Sequence, residues 1–215
     1  MTSVGSSFCV ENPSILDNLF FHLRYLRTLD LSFTIVQVVP ESIANFQQLC
    51  YLALNKTSIH RLPESMCSLY NLQILELGGF TYLSELPACV KNLTKLQHLD
   101  VWKESGFVFM PYGIEQLTAL QTLQAFMVGR DVQHCGMREL KHLINLRGSL
   151  CIGELGNVTS DKEAKEAGLR MMKYLRTLVL HWCEGDFKSD RKCINCLQGT
   201  AESPTLQWPR TAGFS

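Results

Sequence analysis

The residues of this chain best suited to chemistry are His181, Cys183, Cys193 and Cys196. Cys193-x-x-Cys196 has the spacing of a zinc-binding pair, and a histidine with a third cysteine would close a tetrahedron around the ion. A second Cys-x-x-Cys pair is missing and the surrounding residues carry little periodicity, so loose thiols account for them and no metal is assigned. The sequence has no Gly-x-Ser-x-Gly elbow, His-Glu-x-x-His helix, Gly-x-Gly-x-x-Gly loop or Gly-x-x-x-x-Gly-Lys-Ser/Thr loop. Nothing in it therefore activates a nucleophile or cradles a nucleotide in those ways, and the chain is read as a non-enzyme without a cofactor. Asn55-Lys-Thr57, Asn92-Leu-Thr94 and Asn157-Val-Thr159 match the glycosylation acceptor. With no leader sequence visible, they read as ordinary polar positions.

Nine cysteines occur among 215 residues. The odd number and the irregular placement of Cys50, Cys67 and Cys89 argue against a disulfide framework and for reduced thiols, some of them filling the core. Lys plus Arg equals Asp plus Glu at 20 each, so the formal charge is zero. That excludes a general phosphate-binding surface, and no nucleic-acid partner is expected. No apolar run is long enough to span a bilayer, so no membrane partner is expected either.

The elements that would position any site follow from a repeat. Pro40, Pro63, Pro87 and Pro111 are spaced by 23, 24 and 24 residues, each after an apolar residue. The leucines share that register. One unit reads Leu23-x-x-Leu26-x-x-Leu29-x-Leu31, the next Phe46-x-x-Leu49-x-x-Leu52-x-Leu54, and the third Leu69-x-x-Leu72-x-x-Leu75-x-Leu77. Later units end in Leu99-x-Val101, Leu123-x-Ala125, Leu150-x-Ile152 and Leu178-x-Leu180. Alternation in the Leu-x-Leu step predicts a short strand with one buried face, and the leucines three apart before it suit a 3-10 or helical turn. A continuous helix would be broken by a proline in every unit. One unit cannot bury its leucines alone, so about seven stacked units are expected, with parallel strands centred near Asp30, Ala53, Glu76, Asp100, Gln124, Cys151 and Val179. The fold class is α/β: a solenoid with a curved parallel sheet on its concave face and short helical or 3-10 segments on its convex face.

Residues between the buried strand positions point outward and stack from unit to unit. One column reads Asp30, Ala53, Glu76, Asp100, Gln124, and a neighbouring one Ser32, Asn55, Gly78, Trp102, Phe126. Acids beside a tryptophan on a concave sheet suit a protein partner with basic and apolar contacts. The candidate binding residues are Asp30, Asn55, Glu76, Asp100, Trp102 and Gln124.

The pattern loosens between Val128 and His142. Ser160-x-x-Glu163 reads as a capping box opening a helix over Glu163–Tyr174. Residues 1–15 read as a poorly ordered lead, 16–183 as the repeat domain, and 184–215 as a disordered or non-native tail. Neither end carries a clear cap, which fits part of a longer protein.

Leu26-Arg-Thr-Leu-Asp-Leu-Ser32, Leu62-Pro-Glu-Ser and Leu120-Gln-Thr-Leu-Gln-Ala-Phe-Met-Val-Gly129 resemble the leucine-rich repeats of plant intracellular nucleotide-binding immune receptors. The stretch from Leu146-Arg-Gly-Ser-Leu to Leu178-Val-Leu-His-Trp182 is similar to later repeats of their coiled-coil subgroup. The resemblance implies a cytoplasmic recognition or regulatory module in defence, binding a pathogen effector, a host protein or other receptor domains. It also marks Phe126 and Trp182 as packing residues.

Overall fold

The computed structural model describes residues 13–79, 83, 85–103, 106–107, 110–129, 135–158, 160–182 and 205–207. A helix α1 (Pro13–His22) leads into strands β1 (Thr28–Asp30), β2 (Tyr51–Ala53), β3 (Ile74–Glu76) and β4 (His98–Asp100). Then come β5 (Trp102–Lys103), β6 (Gly106–Phe107), β7 (Thr122–Leu123), β8 (Ala125–Met127), β9 (Arg147–Gly153), helix α2 (Asp161–Glu166), β10 (Tyr174–Leu180) and β11 (Thr205–Gln207). Strands β1, β2, β3, β4 and β7 form one parallel sheet, and β8, β9, β10 and β11 a second. Every expected strand centre lies in a strand except Gln124, which separates β7 from β8.

Each early unit has the same parts for the same reasons. Leu52, Leu75 and Leu99 are register partners with no exposed surface, so the central strand residue faces the shared core. Leu29 occupies the same position in β1 but is only half-buried, because β1 is the outermost strand of its sheet. Behind the strands, 3-10 turns cover Glu41–Asn45, Glu64–Ser68 and Ala88–Asn92. Pro40, Pro63 and Pro87 stand before these turns with extended backbone, where a missing N–H costs no ladder bond. After each of the first three strands one residue takes positive φ: Phe33, Lys56 and Gly79. A Cβ on Gly79 would come within 2.7 Å of Lys56 Cγ, so the third unit has glycine there.

The irregular units depart from the sequence expectation in four places. Ala125 pairs with Cys151 and Phe126 with Ile152, while the Gln124 carbonyl also accepts from the Cys151 amide at 2.9 Å. That bond is the ordinary slanted one of a parallel ladder, and Ala125, Phe126 and Met127 are all buried in β8. Phe126, placed in an outward column by simple alternation, is fully buried, as the resemblance implied. Second, β5 and β6 form an antiparallel pair, Trp102 opposite Phe107, which carries the Trp102 backbone out of the repeat sheet. Third, the helix expected over Glu163–Tyr174 is shorter. α2 ends at Glu166, Gly168 adopts φ 65°, and a 3-10 turn Leu169–Met171 follows. Glycine tolerates that left-handed stop, and its position ends the helix. Fourth, Thr205–Gln207 extend the second sheet by pairing in parallel with β10, so an unstructured tail does not describe those three residues. Residues 1–12 and the remainder of the tail lie outside the described residues, as do Cys183, Cys193 and Cys196 of the zinc constellation.

The sulfurs also differ from expectation. Cys67 and Cys89, on successive 3-10 turns, form a disulfide with Cα atoms 5.7 Å apart, whereas Cys50, Cys135 and Cys151 are free. Their different positions within the repeat hid the pairing, because the fourth unit places its cysteine two residues after the proline and the third places it four after.

Candidate concave recognition face

The ladder register fixes which side chains share the concave face. Asp30, Ala53, Glu76 and Asp100 are successive partners, as the sequence predicted. Ala53 contributes no surface, since its methyl lies between the longer Asp30 and Glu76. Two residues earlier runs a column that the prediction omitted: Thr28, Tyr51, Ile74, His98 and Thr122. The period of two that selected Asp30 and Glu76 selects these equally, so the signal was present.

Asn55, Glu76 and Asp100 converge. Asn55 Nδ2 donates to Glu76 Oε2 at 2.7 Å, and Asn55 Oδ1 accepts the Gly78 amide at 2.7 Å. Ser32 Oγ accepts the Asn55 amide at 3.2 Å, and the Ser32 amide donates to Asp30 Oδ1 at 2.9 Å. A Cβ on Gly78 would lie 3.1 Å from Asn55 Oδ1 and 3.3 Å from Asp100 Oδ2. Glycine therefore opens the space through which the Asp100 carboxylate approaches Asn55. Tyr51 hydrogen-bonds Glu76, and its phenol is pushed up first by burial and then by Glu76 and Asp30. It stays a neutral donor at neutral pH. Beside these, His98 Nδ1 and Thr122 Oγ1 are 2.9 Å apart.

This arrangement can accept hydrogen bonds and attract cationic groups, and it has fixed geometry because its carboxylates are already held. Asp30 and Gln124 are exposed at its margins, while Asn55, Glu76 and Asp100 are half-buried. The Trp102 side chain lies outside the described residues. Farther along, Thr122 also borders a cleft of about 730 Å³ lined by Arg147, Lys173 and Arg176, so the concave side changes sign along the solenoid. Arg176 is the unmatched residue where the β9–β10 register shifts.

The other polar positions serve the fold. Asn55 of the first glycosylation-like triplet is engaged with Glu76 and Gly78, and Asn157 of the third donates to the Val128 carbonyl at 2.8 Å. Among the described residues, the one grouping with metal-like donors is Glu64, Cys67 and Cys89, and its sulfurs are joined to each other. Glu139 is 2% exposed and accepts the Gly113 amide at 2.8 Å, capping the 3-10 turn of the preceding unit. Glu163 does the same for the Met137 amide at 3.2 Å. Ser160 does accept the Glu163 amide at 3.2 Å, as the capping box predicts, and the Glu163 carboxylate also reaches the Met137 amide of the neighbouring unit at 3.2 Å.

Comparison with known proteins gives a consistent result. A family model described as a leucine-rich repeat region matches residues 7–208. A disease resistance protein of Arabidopsis thaliana is 41% identical over 168 residues, 78% of this chain and 12% of that protein. The disease resistance RPP13-like protein 4 of the same plant is 35% identical over 133 residues, 60% of this chain and 16% of that protein. The chain thus spans less than a fifth of either relative. Among solved structures, the leucine-rich repeat domain of the type III effector XopL superposes with a TM-score of 0.53 at 19% identity, covering 87% of this chain and 71% of that one.

Proposed function

The chain belongs to the leucine-rich-repeat family and is related over most of its length to plant disease resistance proteins, and on that premise we propose that it is the protein-recognition module of a plant immune receptor. The receptor is of the nucleotide-binding, coiled-coil subgroup and works in the cytoplasm. The contact surface is the concave patch of Asp30, Asn55, Glu76, Asp100, Trp102 and Gln124. Its partner is a pathogen effector, a host protein or another receptor domain that brings basic and apolar groups. Binding that prefers one receptor conformation shifts the equilibrium between resting and active states. The observation that carries this reading is the preorganised Asn55–Glu76–Asp100 cluster over Gly78. Held carboxylates lose little freedom on meeting a partner.

The test starts from a partner captured with the repeat region and then purified. Trp102→Ala and the double variant Glu76→Ala/Asp100→Ala are checked for folding by circular dichroism and for affinity by calorimetry. The tryptophan truncation should cost about 2 kcal/mol or more if it is a central anchor. Folded variants that bind as tightly as the parent would remove the concave patch from recognition.

A second reading is favoured by one observation. The Cys67–Cys89 bridge suits an oxidising compartment, and hence an extracellular leucine-rich-repeat receptor or inhibitor. Among the described residues no helix is long and apolar enough to cross a membrane. Acid-quenched alkylation of the protein in its own cells separates the readings. Two free thiols at Cys67 and Cys89 support the cytoplasmic one.

A further inference from the structure

A second surface lies outside the concave face. The chain turns from strand to 3-10 segment at Val39–Pro40, Leu62–Pro63, Leu86–Pro87 and Pro111, and these steps line one groove of about 930 Å³. Pro40, Pro63 and Pro87 lack an amide hydrogen, so at those steps the backbone offers a ligand no donor. The apolar character reaches the surface at Val38, which is 54% exposed. Around this floor stand Asp17, Glu41, Glu64, Glu85 and Arg61. Four carboxylates against one guanidinium give the groove a formal charge of −3, in a chain whose total is zero. Glu41 and Glu64 are exposed and occupy the same position, one residue after the proline, in successive units.

We infer that this groove binds an extended segment of a protein partner in which lysine or arginine alternates with apolar residues. The charge sign selects the occupant, since a nucleic acid or an anionic membrane would meet like charge along the rim. The repeat sets the geometry. Rungs on the order of 4.8 Å apart at the sheet give three steps of about 14 Å, the span of four or five extended residues. In an extended segment alternate side chains point to opposite sides, so apolar groups can reach the proline floor while cations meet Glu41 and Glu64. The surface is separate from the Asn55–Glu76–Asp100 cluster, and either can fail without the other.

The test measures anisotropy of a fluorescein-labelled heptapeptide alternating lysine with valine, added to the whole chain at low salt. The parent should bind it, and bind glutamate–valine and lysine–glycine peptides of the same length more weakly. Glu41→Lys/Glu64→Lys should weaken binding about tenfold or more, with Glu41→Gln/Glu64→Gln in between. The concave variant Asp30→Asn/Asp100→Asn should bind like the parent. All three variants are checked by circular dichroism, and both substituted glutamates are exposed, so the fold is expected to persist. No binding to the parent, equal binding of the lysine–glycine peptide, an unchanged affinity in both groove variants, or an equal loss in the concave variant would overturn the inference. So would self-association of the chain through the groove in place of peptide binding.

Discussion

Reducing the Cys67–Cys89 bridge should lower the stability of the repeat domain by a calculable amount. The two cysteines are 22 residues apart and join successive turns of the solenoid. A cross-link of that loop length removes about 11 cal/mol/K of chain entropy from the unfolded state, or about 3 kcal/mol at room temperature. Spread over a domain of this size, the loss amounts to a fall of about 6–12 °C in melting temperature. The assay is thermal unfolding followed by circular dichroism with and without a reductant, with thiols counted by alkylation and mass spectrometry. Because Cys50 is free and partly exposed, the measurement is made in a Cys50→Ser background to remove links through that residue. Cys89→Ser should melt like the reduced parent, and the reductant should not shift it further. Cys67 is 5% exposed, so reagents reach the bridge from the Cys89 side. A parent whose bridge is demonstrably reduced but whose melting is unchanged would refute the entropy argument, and free thiols at Cys67 and Cys89 before reduction would refute the bridge.

Other perturbations test separate parts of the structure. Leu75→Asp places a carboxylate where no surface is exposed and should cost several kcal/mol, seen as lost soluble yield. Glu76→Ala should cost only about 0.5–1.5 kcal/mol by thermal melting, for its bonds to Asn55 and Tyr51. Burial raises the Glu139 carboxyl, so the folded form holds its proton more tightly than the unfolded form. Its contribution to stability is therefore full below the ordinary carboxylate range and lost as pH rises through the raised value. In paired melts, the parent should lose stability relative to Glu139→Gln as pH rises from acid to neutral, and parallel curves would count against the assignment. Cys135 and Cys151 are buried, with thiols pushed up by desolvation, Cys151 to about 11 and Cys135 farther with Glu139 adding to the shift. Maleimide at neutral pH should label Cys50 and spare both in the native protein, as peptide mass mapping will show.

The regular half of the molecule was legible because one unit repeats one problem. Leu52, Leu75 and Leu99 all bury at the same step, so their register could be read from spacing alone, and the outward column of Asp30, Glu76 and Asp100 followed from the same alternation. Alternation fails in the irregular units. Arg176 is left unmatched in β10, and Phe126 is buried between the equally buried Ala125 and Met127, yet neither departure changes composition enough to announce itself. Gly168 lies inside the helix expected from the capping box, and its left-handed backbone is what separates α2 from the 3-10 turn that follows. The cross-unit contacts were harder still. Glu139 caps the turn at Gly113 and Glu163 the one at Met137, a carboxylate of one unit completing the backbone of the unit before.

The site has that same character. Asn55 lies in one unit, and its amide is used by Glu76 and Gly78 of the next, while Asp100 of the one after approaches it across the glycine. Spacing places these residues in adjacent columns but leaves open which donor meets which acceptor, because that depends on how far each unit twists over its neighbour. The half-buried cluster is therefore a property of the stack. A change that alters the stacking of the second and third units, such as loss of the Cys67–Cys89 bridge behind them, can reach the concave face without touching any of its residues.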